Sequence, residues 1–239
     1  MNESFSYNRS VGRHQAPDRR RDIGEAALKA FSEAGFRNTQ VADIAKLAGT
    51  APGTLYLYAR SKEALFVMAM ETSLGQEPED LPTNRQDLLA TIERKLAEGR
   101  HYPLLKNLLE NPSHPIPLPD AVFAEIWDSV ERLSPTIRLI ERCARDWPDL
   151  GSLFYHGIRP QLLAALSLYL RKAIEQGLVR QVPNVALAAR LIVETTAWFT
   201  MHRLGDADGK SFDSTGCREA TLDALTHAYA ITPTKAERK

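Results

Sequence analysis

Apolar residues recur at helical spacing along almost the whole chain, and no stretch shows the strict alternation of a half-buried strand. Ile23, Ala27, Ala30, Phe31 and Ala34 mark the inner face of a first helix, which Asp18 can cap and Gly35 can end. Val41, Ile44, Ala45 and Ala48 mark a second, with Thr39 as its cap and Gly49 as its stop. A third, short helix covers about Pro52 to Tyr58, and Ser61 caps a fourth from Lys62 to about Leu74. Beyond the polar connection GQEPEDLPTN (75–84), helical patterns follow at about 85–99, 103–111, 120–131, 135–146, 148–176, 184–204 and 214–230. Proline sets several of these limits. ENPSHPIPLPD (110–120) is predicted to be loop, Ser134–Pro135 reads as the start of a new helix, and Pro160 should kink or divide the long 148–176 pattern. The expected fold is all-α, with a small three-helix head and a larger helical body. The predicted divisions are a disordered arm over 1–17, a head over 18–75, a body over 76–231 and a flexible tail over 232–239.

Composition narrows the class without naming a function. The chain has 239 residues, 44% of them hydrophobic, which is enough for a substantial core. No apolar run reaches the ~18–20 residues that span a bilayer, and the N-terminal stretch lacks the apolar segment of a signal peptide. Cys143 and Cys217 are far apart and suggest neither a disulfide framework nor a zinc site. A cytoplasmic protein that does not act on membranes is expected. Net charge is +0. It is unevenly spread: residues 1–62 carry 10 Lys and Arg against 6 Asp and Glu, so the basic end is the N-terminal one. No phosphate loop, nucleophile elbow, paired-carboxylate motif or metal-ligand spacing stands out. The expectation is a protein that is not an enzyme and needs neither cofactor nor metal.

The segment PGTLYLYARSKEAL (52–65) carries the most specific chemistry. At helical spacing Leu55 and Leu57 point about 160° apart, so they cannot share one small core. Leu55 aligns with Phe31, Ile44 and Ala48 as the inner residue. Leu57 then faces out, flanked by Thr54, Tyr56 and Tyr58. An outward leucine among hydroxyls suits a major groove, where apolar groups meet thymine methyls and hydroxyls reach phosphates. Alternatively, the two tyrosines pack on the first and fourth helices. Lys62, beside the free N–H groups that follow the Ser61 cap, makes an anion site, or else is solvated with Glu63. Arg19, Arg20 and Arg21 oppose the dipole of the first helix, which fits either an external anion such as a DNA backbone or a solvated charge run.

The stretch AFSEAGFRNTQVADIAKLAGTAPGTLYLYARSKEALF, from Ala30 to Phe66, resembles the DNA-binding head of TetR-family transcriptional regulators. The shared pattern is Gly35-Phe36, Thr39, Val41, Ile44-Ala45, Ala48-Gly49, Gly53-Thr54-Leu55-Tyr56, Tyr58 and Ser61-Lys62-Glu63-Ala64-Leu65. The resemblance covers about the first 75 residues. It implies a homodimer on a palindromic double-stranded DNA operator, with the Pro52–Tyr58 helix in the major groove. It also implies DNA contacts at Thr39, Thr54, Tyr56, Tyr58 and Lys62, with Gly53 allowing close backbone approach. Two departures stand out. Thr50-Ala51 replaces the usual Val-Ser, which moves the helix cap to Thr50, and Ala59 stands where an aromatic is usual. Thr50, Ala51, Pro52, Leu57 and the three arginines complete the candidate DNA-binding set.

In such regulators the body binds a small effector and dimerises. The candidate pocket residues are Tyr102, Phe123, Trp127, Trp147, Phe154, Tyr155, Trp198 and His202, which suit an apolar or aromatic ligand. The candidate dimer residues are Leu187, Leu191, Trp198, Met201, Leu222, Leu225 and Tyr229, which could build a four-helix interface or pack within one subunit. The function expected is a ligand-responsive regulator, most simply a repressor released by a small molecule. In that scheme the effector shifts the fourth helix and changes the separation of two recognition helices set one helical turn apart. An activator of the same fold, and an all-α small-molecule-binding protein without DNA binding, remain alternatives.

Overall fold

A computed structural model of the chain describes residues 16–76, 84–99, 102–111 and 113–231. The predicted tail, and all of the predicted arm except Ala16 and Pro17, lie outside the described residues. Among the described residues the only backbone pairing of β type is an isolated antiparallel bridge, Val179 to Ala230; the rest is helix and connection.

The head comprises α1 (Ala16–Asn38), α2 (Val41–Leu47), α3 (Pro52–Leu55) and α4 (Lys62–Ser73). Helix α1 begins before Asp18, which therefore does not cap it. At Gly35 (φ 81°, ψ 178°) the backbone leaves helical geometry, as expected of its C-terminal glycine. A Cβ there would also lie 2.8 Å from the Arg142 guanidinium. Gly35→Ala is expected to cost about 1–3 kcal/mol from this positive-φ extended backbone alone, which is essentially restricted to glycine, measurable by chemical denaturation.

Thr39 does not cap α2, since Gln40 occupies the cap position without a side-chain bond. The Thr39 hydroxyl turns back and donates to the carbonyls ending α1, 3.1 Å from that of Ala30 and 2.7 Å from that of Gly35. Ala51, not Thr50, precedes α3 as its cap, again without a side-chain bond. The third helix is shorter than predicted, and the chain from Tyr56 to Tyr58 is turn. Ser61 caps α4 as expected, accepting from the Ala64 N–H at 3.1 Å. From Ala64 to Glu71 every residue of α4 is buried. A helix buried all round lies inside the protein, and here it is sandwiched between α1 and the body.

The body contains α5 (Arg85–Gly99), α6 (Pro103–Glu110), α7 (Pro119–Ala144), α8 (Pro148–Ser152), a π-helical segment (Leu153–Ile158) and α9 (Arg159–Glu175). It ends with α10 (Val185–Thr200), two 3₁₀ turns (His202–Gly205 and Gly209–Ser211) and α11 (Ser214–Tyr229). Two predictions on proline resolve differently. Pro160 divides the long pattern, with the π segment just ahead of it and Pro160 itself in the first turn of α9. Pro135 starts no helix: α7 runs straight through it. Leu133, Thr136 and Leu139 are buried around an exposed Pro135, and that packing outweighs the hydrogen bond the proline cannot make.

Packing does not follow the predicted boundary at residue 75. One core joins the head to α5, α8 and the C-terminal half of α7, with Phe36 stacked on Trp147 at 4.3 Å and Phe66 edge-on to the same indole at 5.2 Å. A second core joins α6, the N-terminal half of α7, α9, α10 and α11. The link between α10 and α11 is tied by buried Arg203. Its guanidinium donates to the carbonyls of Phe199 (2.6 Å) and Phe212 (2.7 Å) and to the Ser214 hydroxyl (2.9 Å).

Candidate nucleic-acid interface and effector cavity

Leu55 is fully buried, and its neighbours are not: Tyr56 is 50% and Leu57 81% exposed. Pro52 and Gly53 are exposed as well, and a Cβ at Gly53 would meet nothing. The buried anchor thus holds a compact protruding edge bearing a phenol, an isobutyl group and the partly exposed Thr50, Thr54 and Tyr58. Leaving such an apolar tip in water is unfavourable, by roughly 25 cal/mol per Å² of apolar area.

The basic residues divide. The Arg20 guanidinium lies over the Tyr58 ring, 5.7 Å from its centroid, beside that edge, and Arg21 is exposed on the same turn. Arg19 is committed inward, donating to the Ala48 carbonyl at 3.1 Å, and so ties α1 to the end of α2. Lys62 is also drawn in. Its ammonium donates to the Arg37 carbonyl at 3.1 Å and lies 5.0 Å from the Phe36 ring centroid. Burial lowers its pKa, and Asp146 and Glu63 nearby oppose that. Thr39 is 2% exposed and bonded within the head. Thr39 and Lys62 therefore serve the joint between α1, α2 and α4 in this structure, and the protruding edge carries the accessible chemistry.

That joint is also gripped from the body. Arg142, in the last turn of α7, donates to the Glu33 carbonyl at 3.2 Å, and Asp146 just beyond it accepts from the Arg37 N–H at 2.9 Å. The predicted pocket residue Trp147 belongs here, between head and body, rather than to a cavity.

Within the body a cavity of about 80 Å³ lies between α5, α7, the π segment, α9 and α10. Its walls are mostly aliphatic, among them Leu96, Leu133, Ile137, Leu162 and Val193, and Tyr102 and Phe154 line it as predicted. Its polar edge holds Ser129, Glu141 and Arg159. Arg159 is paired with Glu194, which also pairs with Arg190 at 2.6 Å. Burial raises the Glu141 pKa, while His202, Arg159 and Arg145 pull it down.

The other predicted pocket aromatics lie elsewhere. Trp127 is fully buried and Phe123 packs on Tyr229 in the second core. Tyr155 is 39% exposed against Phe154, and Trp198 37% exposed against Phe199. His202 stands 3.9 Å from Glu141, outside the cavity.

Residues 23–69 match the family model described as bacterial regulatory proteins, tetR family. Over these residues the head of this chain is similar to the TetR family. The fatty acid metabolism regulator protein of Bacillus subtilis is 36% identical over 85 residues, covering 35% of this chain and 43% of that protein. The transcriptional regulator RutR of Escherichia coli is 35% identical over 96 residues, covering 38% of this chain and 45% of its own. The match thus spans less than half the length of these relatives. A transcriptional regulator from Saccharomonospora viridis, solved with choline, shares the fold over 90% of this chain and 99% of its own, with a TM-score of 0.57 and 14% identity. The whole chain thus shares an all-α fold with that protein, with a helix-turn-helix at its N-terminal end.

On the body the predicted dimer residues split by burial. Leu187 (61% exposed), Leu191 (60%) and Trp198 share one side of α10. On α11, Ala220, Ala224 and Ala228 are exposed at four-residue spacing. Met201, Leu225 and Tyr229 are buried within the subunit, and Leu222 is half-buried against the second core. Periodicity alone cannot say which face of a helix meets its own subunit. Among the described residues no helix is long and apolar enough to cross a membrane.

Proposed function

We propose that this protein is a dimeric, effector-responsive regulator of transcription, most simply a repressor released by a small molecule. The observation that carries the reading is the protruding Tyr56–Leu57 edge held by buried Leu55, within a head similar to the TetR family. In this reading residues 18–75 bind a palindromic operator through Thr50–Tyr58, with Arg20 and Arg21 at flanking phosphates. Residues 76–231 bind the effector and dimerise. The protein works in the cytoplasm, uses no cofactor and catalyses no reaction. The effector is a small, largely apolar molecule, because the body cavity has aliphatic walls and few polar groups.

Dimerisation is assigned to the exposed sides of α10 and α11. Leucines on one helix meeting a row of alanines on another allow close approach in a symmetric four-helix contact. Leu191→Arg is expected to give a folded monomer in light scattering, with operator affinity down at least about a hundredfold, because one half-site cannot supply the contacts of two. A dimer that survives Leu191→Arg, paired with Leu187→Arg, would place the interface on another face. Effector action is read by the same assay: a molecule that occupies the cavity should release the duplex.

A further inference from the structure

A second, larger hollow adjoins the cavity. It is a cleft of about 600 Å³ between α1 and the C-terminal half of α7, closed at one end by the His202–Gly205 turn. Leu28 and Ser32 of the head form one wall, and Arg138, Arg142 and Arg145 project from the other. Glu141 and Met201 line both hollows, so cavity and cleft meet at these two side chains.

The two compartments differ in chemistry. The inner one is aliphatic. At about 80 Å³ it is roughly half the size of an engineered cavity of about 150 Å³ that takes benzene, which leaves room for a short alkyl chain. The outer one sets three guanidiniums and His202 around the single carboxylate of Glu141. Arg138 and Arg145 are exposed and form no ion pair within the described residues. Cations gathered in a concave site concentrate anions there, and guanidinium forks match carboxylate and phosphate oxygens in pairs.

We infer that cavity and cleft form one composite site for an amphipathic anion, its short apolar end in the cavity and its carboxylate or phosphate head in the cleft against Arg138 and Arg145. This rests on the reading that the cavity is the effector site, and it adds the chemical class of the effector and its contact with the head. An anion in the cleft touches α1 and α7 together. It also competes for Arg142, whose bond to the Glu33 carbonyl holds those helices in register. The effector would then act directly on the joint between head and body.

The test uses the full-length protein and four probes with matched chains: pentanoate, butyl phosphate, 1-pentanol and pentylamine. Dissociation constants are read by saturation-transfer NMR. Both anions should bind about tenfold or more tightly than 1-pentanol, the scale of a charge-assisted hydrogen bond. Butyl phosphate ahead of pentanoate would identify a phosphate head, and the reverse a carboxylate. In Arg138→Ala/Arg145→Ala, two exposed positions where the fold should persist, the preference for anions should vanish while 1-pentanol binds as before. Leu162→Trp, which fills the cavity, should weaken all three. Equal binding of anions and 1-pentanol, an anion preference that survives the double variant, or a preference for pentylamine through Glu141 would overturn the anionic site and leave the cavity reading standing. Probes that do not bind at millimolar concentration, or that ignore Leu162→Trp, would overturn both.

Discussion

Replacing Lys95 by methionine is expected to destabilise the protein by about 3–5 kcal/mol. Lys95 Nζ lies 3.0 Å from Glu71 Oε1, and the two side chains are 3% and 0% exposed. Glu71 belongs to the fully buried face of α4 and Lys95 to α5, so the pair joins the last helix of the head to the first of the body. Methionine keeps the volume of lysine but removes the ammonium that compensates a carboxylate taken out of water. Adding Glu71→Gln should recover much of the loss, since the uncompensated charge, not the absent pair, is the main cost. Urea denaturation of wild type, single and double variants measures both steps. A loss below about 1 kcal/mol for Lys95→Met, ordinary for a surface change, would mean that water reaches Glu71.

The double variant Tyr56→Ala/Leu57→Ala is expected to weaken operator binding at least about thirtyfold, taking each of the two lost base contacts at the lower end of 1–3 kcal/mol. Both residues are exposed, so their loss should move stability by less than about 0.5 kcal/mol. Leu55→Ala between α3 and the head core should do the opposite first, costing about 2–5 kcal/mol because Leu55 is fully buried. Adjacent positions thus separate fold from function: denaturation reports on Leu55, and duplex affinity on Tyr56 and Leu57.

Much of this contrast was legible in the residues. The 160° divergence of Leu55 and Leu57 follows from helical spacing, and the structure buries one and exposes the other although α3 itself is only Pro52–Leu55. The Ser61 cap and the Gly35 stop depend on local backbone chemistry, and they too were readable. What stayed hidden depends on distant partners. The Arg37 carbonyl and the Phe36 ring beside the Lys62 ammonium could not be read from its place after the Ser61 cap. Thr39 resembles a cap until the end of α1 supplies its acceptors. Leu225 and Tyr229 share the spacing of a dimer face, but Phe123 of α7 meets Tyr229 inside the same subunit. Trp147 is far in sequence from the rings of Phe36 and Phe66, and no periodicity links them. Ala59, where the family usually has an aromatic, is 2% exposed, so the small side chain is accommodated within the head core.

The joint around Gly35–Arg37 gives the coupling a physical form. Lys62 at the start of α4, and Arg142 and Asp146 at the end of α7, all bond to the chain between Glu33 and Arg37. In the proposed mechanism, a displacement of either α4 or α7 is passed through these bonds to the turn that carries α2 and α3. An effector can exploit this only through unequal affinity for the two arrangements.

Whether the Pro52–Tyr58 edge reads DNA is tested most directly by selecting duplexes from a randomised pool with the purified full-length protein, then titrating the best duplex by fluorescence anisotropy at several salt concentrations. The expected result is enrichment of a palindromic sequence, bound by wild type with an affinity that falls steeply as salt rises and is lost in Tyr56→Ala/Leu57→Ala. A pool that yields no enriched sequence, or a duplex bound equally well by wild type and the double variant, would contradict it.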